Sequence, residues 1–204
     1  MQLSLALYIT PQGCTVKEKT SIALVGFRAS GKSLVGKLLA KELNFSFVDM
    51  DERLVASFAQ GIGQWVQAHG WASFRKAESE LLQKLAQEQD LIVATGGGVV
   101  LSAANRELLK NHFLVIWLKA SPETTYLRML DDPGTETNRP AFTSLPLREE
   151  IQQMLTERSD FYQETAHIIL ETDAALPEKL VSEIKCRLLQ NQEATDTNVD
   201  TTKR

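Results

Sequence analysis

Eight consecutive residues carry the strongest chemical signal in this 204-residue chain: Gly26-Phe27-Arg28-Ala29-Ser30-Gly31-Lys32-Ser33. They fit G-x-x-x-x-G-K-[S/T], in which two glycines let the backbone turn so that successive N–H groups face one point. Such a nest, opening onto a helix N-terminus, binds phosphate groups. Gly26, Arg28, Ala29, Ser30, Gly31, Lys32, Ser33 and Leu34 are therefore the expected contacts to a nucleotide. Lys32 would reach the β- and γ-phosphates, and the Ser33 hydroxyl would ligate Mg²⁺. The alternative is a plain strand-to-helix turn with a surface lysine. Against it, the apolar run SIALV stands directly before the loop and a helical pattern directly after it.

A second group of residues could serve an acceptor. Phe47-Val48-Asp49-Met50-Asp51 ends an apolar run, and carboxylates just beyond a parallel strand lie over the ligand crevice. In an extended segment, alternation sends Asp49 and Asp51 to one side, Asp49 toward the metal and Asp51 toward a substrate hydroxyl. N-capping of the following helix by Asp51 is the competing reading. Arg75 and Glu78 are three apart and share a helix face, either as a surface ion pair or as an arginine aimed at an anion and held by its neighbour. Arg158 interrupts an apolar stripe between Leu155 and Tyr162, so it must be paired internally or face a polar cavity. Two arginines at one cleft suit a carboxylate, whose geometry the guanidinium fork matches. Thr95-Gly96-Gly97-Gly98 follows LIVA; three glycines there let a ligand touch backbone, unless they form only a tight turn.

Arg139 lies in Asp131–Pro146, a connection with three prolines that is too long for an ordinary turn and reads as a lid. A lid arginine swings over the phosphates and stabilises transferring charge. Arg128, just before that segment, would flank the nucleotide base, or be a surface helix charge. The histidines are scattered and receive no role; Trp65, Trp71 and Trp117 read as packing residues.

These groups need a scaffold. Short continuous apolar runs at Ile22–Val25, Phe45–Val48, Leu91–Ala94, Phe113–Leu118 and His167–Leu170 read as strands buried on both faces. Between them lie stripes of 3.6-residue period: Leu34, Val35, Leu38, Leu39; then Phe74, Ala77, Leu81, Leu85; then Ile151, Leu155, Arg158, Tyr162. Pro122 and Pro177 suit the first turns of two more helices. Alternating units of this kind predict a doubly wound α/β domain. Residues 1–19 read as an extension without a basic targeting region, 20–189 as the domain, and 190–204 as a disordered tail. With 22 basic and 26 acidic residues, the net charge of −4 disfavours a general nucleic-acid or membrane-surface binder. Two cysteines, Cys14 and Cys186, make neither a disulfide framework nor a zinc site and suggest a reducing compartment, the cytoplasm. A monomer is expected.

Taken in order, GFRASGKS, VDMD, FRKAE, TGGG, the RP of the lid and the ER that precedes Tyr162 resemble the shikimate kinase family, from about residue 20 to residue 188. The resemblance implies a five-stranded parallel sheet of order 2-3-1-4-5, ATP and Mg²⁺ as cofactors, and phosphoryl transfer to the 3-hydroxyl of shikimate. It implies Lys32, Asp51 and Arg139 as catalytic residues and Ser33 and Asp49 at the metal. It assigns Arg75, Arg158 and the glycines 96–98 to shikimate, and the segment around Asp173–Pro177 to adenine. Four positions depart from the usual pattern: Arg28 is charged, Trp71 follows Gly70, the lid reads RPAF, and the late helix reads ERSDFY. Other readings are a kinase of another small hydroxylated acid and a catalytically idle nucleotide-binding module.

Overall fold

A computed structural model describes residues 21–131 and 145–199, with side chains as far as Leu188. Along the chain run β1 (Ile22–Val25), α1 (Lys32–Leu43), β2 (Ser46–Asp49), α2 (Met50–Phe58), α3 (Ile62–Leu85) and β3 (Leu91–Ala94). A short 3₁₀ turn (Val99–Leu101) follows. Then come α4 (Ala103–His112), β4 (Leu114–Lys119), α5 (Pro122–Asp131), α6 (Leu147–Thr165), β5 (Ile168–Glu171) and α7 (Pro177–Val199). The five strands form one parallel sheet of order β2-β3-β1-β4-β5, the expected topology.

The continuous apolar runs are explained by burial on both faces. In β1, Ala23 and Val25 pack with Leu82 and Leu85 of α3, Leu109 of α4 and Tyr162 of α6. Ile22 and Leu24 pack on the opposite side with Val35 and Leu39 of α1 and Leu180 and Ile184 of α7. Each Val, Leu or Ile among them, fully removed from water, contributes roughly 1.5–3 kcal/mol.

Three strands begin one residue later than the apolar runs suggest. The Phe45 and Phe113 N–H groups are taken by the Ala40 and Leu109 carbonyls at the ends of α1 and α4. At His167 the ring intervenes: Nδ1 accepts from Val115 N at 3.0 Å. In α1, Val35 and Leu39 are buried while Leu34 is 54% exposed, so the stripe is narrower than expected. The final helix continues to Val199, so the expected tail boundary at residue 190 falls inside it. The expected extension, and residues 132–144 of the expected lid, lie outside the described residues.

The register places the site. Asp49 of β2 pairs with Ala94 of β3, and Leu24 of β1 pairs with the same Ala94. The chain segments that leave these three strands, which carry Gly26, Asp51 and Gly96, therefore emerge side by side at the carboxyl edge of the sheet. Nearby, α3 is broken at Gly70, whose φ 79° and ψ 163° are open essentially to glycine alone. That break starts a new helical segment at Trp71 and turns the face carrying Trp71, Phe74, Arg75 and Glu78 toward the same edge.

Candidate active site

The loop from Gly26 to Ser33 has the geometry of an anion cradle. Gly26, Ala29 and Gly31 have φ of 145°, 56° and 95°, and α1 starts at Lys32 with no side-chain cap. The helix N-terminus therefore presents N–H groups to whatever lies in the loop. Lys32 Nζ donates to the Phe27 carbonyl at 2.7 Å, which curls the lysine across its own loop.

Ser33 Oγ donates to Asp49 Oδ2 at 2.5 Å, while Asp49 Oδ1 accepts from the backbone N–H groups of Asp51 and Glu52 at 2.9 and 3.2 Å. Asp49, not Asp51, is thus the N-cap of α2. The extended alternation expected of residues 49–51 is replaced by a strand-to-helix turn, and Asp51 sits in the first turn of the helix. Asp49 and Ser33 bring two hard oxygen atoms together beside the phosphate loop, a donor set that suits Mg²⁺. Among the described residues no cluster of three or more His, Cys, Asp or Glu forms a cage. Mg²⁺ needs none, since it is held by one or two carboxylates together with substrate phosphates and water.

The acceptor side is a recess with about 430 Å³ of empty space, its mouth included. Asp51, Arg75, Arg158 and the three glycines 96–98 all line it, as do Arg28, Glu78 and Trp71. Arg75 Nη1 donates to Glu78 Oε2 at 2.7 Å. Glu78 is 1% exposed, so this is no surface pair; burial raises its carboxyl above the usual glutamate range, and Arg75 opposes the shift. Arg158 is buried too. Its Nη1 donates to the Gly97 carbonyl at 3.1 Å, and burial lowers its otherwise very high pKa. Tyr162, stacked on Trp117, donates to the same carbonyl, and burial pushes its hydroxyl well above the ordinary tyrosine value.

The glycines are needed for close approach. A Cβ at Gly96 would strike Glu78 Oε1 and lie 3.1 Å from Asp51 Oδ1; one at Gly98 would land on the Arg75 guanidinium. The triple glycine lets the end of β3 pass directly over these side chains.

Arg128 does not lie free on its helix. It donates to the Ala29 carbonyl at 3.2 Å and to the Thr172 carbonyl at 2.5 Å, tying the phosphate loop to the segment after β5. Leu34 points outward, and Arg139 is outside the described residues. Arg28 belongs to the phosphate loop and also lines the acceptor recess, its side chain donating to Glu150. Three liners escaped the sequence reading: Ile62, Trp71 and Phe74. The signal for the last two was present, since 71, 74, 75 and 78 share one helical face.

A family model described as shikimate kinase matches residues 28–189. The chain is 36% identical over 162 residues to "Shikimate kinase 2" of Photorhabdus laumondii, covering 79% of this chain and 91% of that relative. It is 37% identical over 164 residues to the protein of the same name from Yersinia enterocolitica, covering 80% and 92%. The shikimate kinase of Acinetobacter baumannii, solved in complex with shikimate, superposes with a TM-score of 0.79 at 30% identity over 85% of this chain and 94% of that one. A phosphate loop, a recess lined by arginines and a triple glycine, and likeness over most of the chain agree on one assignment: the chain belongs to the shikimate kinase family.

Proposed function

We propose that this protein transfers the γ-phosphoryl group of ATP to the 3-hydroxyl of shikimate, giving ADP and shikimate 3-phosphate for the synthesis of aromatic amino acids. The observation that carries the reading is the shared recess: Asp51, Arg75 and Arg158 meet beside the phosphate loop, although they come from three separate helices.

In this reading Lys32 and the N–H groups at the start of α1 hold the β- and γ-phosphates. Ser33 and Asp49 would hold Mg²⁺, which when bound neutralises charge on the phosphate oxygens. Arg75 and Arg158 clamp the shikimate carboxylate and orient the ring over Gly96–Gly98. The Asp51 carboxylate takes the hydroxyl proton as the new O–P bond forms and the bond between the γ-phosphorus and the ADP oxygen breaks. Arg128 and the segment from Asp173 to Pro177 flank adenine, and Arg139 stabilises charge on the transferring group. The proposed oligomeric state is a monomer. The two cysteines, with Cys186 exposed as a free thiol, support the cytoplasm. No helix among the described residues is long and apolar enough to cross a membrane.

A coupled ADP-release assay with shikimate, quinate, gluconate and no acceptor tests the proposal. Release specific to shikimate supports it. Equal release without acceptor, or preference for gluconate, overturns it.

A further inference from the structure

The acceptor recess holds a third arginine. Arg28 belongs to the phosphate loop, yet it is 7% exposed and is among the residues that line the same recess as Arg75 and Arg158. Its Nη2 donates to Glu150 Oε1 at 2.9 Å. Glu150 is 2% exposed and stands on α6, 122 residues away in sequence. Of this pair, Arg28 lines the recess and Glu150 does not. The Arg28 guanidinium carbon lies 5.4 Å from the Phe27 ring centre and that of Arg158 lies 5.5 Å from the same ring. Both guanidinium groups therefore lie against one aromatic ring. A buried pair of this kind adds little to stability by itself, since desolvation offsets most of the Coulomb gain. Its directionality and its place at the recess suggest another use.

We propose that Arg28, held by Glu150, is a specificity-determining residue that acts together with Arg158 on the anionic group of the acceptor. The inference rests on the proposed function and extends it, because the clamp on the carboxylate then has three arginines. Several arginines at one poorly solvated recess repel one another until an anion enters, and a carboxylate relieves that repulsion. An uncharged isostere does not. Arg28 should therefore contribute to the preference for a charged acceptor rather than to general affinity.

The test is isothermal titration of the full chain with shikimate and with its uncharged carboxamide. Two double variants remove the charge: Arg28→Met with Glu150→Met fills the site with apolar groups, and Arg28→Gln with Glu150→Gln keeps a hydrogen bond across the gap. Replacing both partners avoids leaving one buried charge unpaired, which would obscure the result through misfolding. The expected result is a Kd for shikimate raised about tenfold and a Kd for the carboxamide within about twofold of the unaltered protein, in either folded variant. Equal weakening of both ligands would mark a purely structural pair and overturn the inference, as would no change in either. Failure of the unaltered protein to bind shikimate at all is a separate result, which sinks the proposed function and this inference with it.

Discussion

The Tyr162 hydroxyl donates a 2.5 Å hydrogen bond to the Gly97 carbonyl, the same oxygen that Arg158 Nη1 reaches at 3.1 Å. Both donors sit on α6, one turn apart, and both fix the middle glycine of the loop. Tyr162 is 0% exposed, so its ring stays packed when the hydroxyl is removed. Tyr162→Phe is expected to cost about 1 kcal/mol in urea unfolding. The shikimate KM should rise several-fold with kcat nearly unchanged, because the loop loses one of two anchors while the reacting groups remain.

Gly98 has ordinary backbone angles, φ −108° and ψ 3°, so alanine there is not strained by conformation. Its methyl group would displace the end of a flexible side chain, Arg75. Gly98→Ala should therefore raise the shikimate KM about tenfold or more, with some loss of stability because moving Arg75 weakens its pair with the buried Glu78. The KM for ATP should stay within about twofold. Steady-state kinetics with each substrate varied in turn checks the split.

Ala29 holds φ 56° in the middle of the phosphate loop, a left-handed conformation that costs a residue with a Cβ about 1–2 kcal/mol. Glycine removes that cost but adds unfolded-state entropy. Ala29→Gly is expected to raise stability by about 0.5–1 kcal/mol, read as a higher midpoint in urea with an unchanged slope.

Glu78 is held above the ordinary carboxylate range, chiefly by burial. A group whose folded pKa is raised stabilises the fold fully below its unfolded value. That contribution is lost as pH rises from the ordinary glutamate value, 4.5, through the higher folded one. Stability of the unaltered protein minus that of Glu78→Gln should therefore fall across this window. Urea titrations of both proteins at a series of pH values measure it; a difference that rises with pH would contradict the assignment.

Asp49 both caps α2 and meets Ser33. Asp49→Asn keeps a cap but weakens the oxygen pair for a cation. The expectation is a stability change under about 1 kcal/mol together with a clearly higher Mg²⁺ concentration for half-maximal rate. Chelation by EDTA should abolish turnover in both proteins.

The parallel α/β sheet was legible because continuous apolar runs alternated with helical stripes around a phosphate loop; its strand order came only from the resemblance to the shikimate kinase family. Strand starts were less legible. The N–H groups of Phe45 and Phe113 are claimed by preceding helices, which hydrophobicity does not reveal. The convergence of Asp51, Arg75 and Arg158 was readable from residue type and order. The cap at Asp49 was not, because a strand that turns straight into a helix and one that continues extended carry the same apolar pattern. Trp71 reads from the sequence as a packing residue because its place at the recess depends on the break at Gly70, which re-aims the face on which it lies. Nothing in local sequence paired Arg28 with Glu150, since that contact exists only after α6 folds against the phosphate loop.

The central claim is that the recess binds a small acid through its arginines. Titration calorimetry of shikimate against the unaltered protein and Arg158→Ala tests it most directly. The account predicts that shikimate affinity falls about tenfold or more in the variant while ATP affinity stays within about twofold. An unchanged shikimate affinity in a folded Arg158→Ala protein would contradict it.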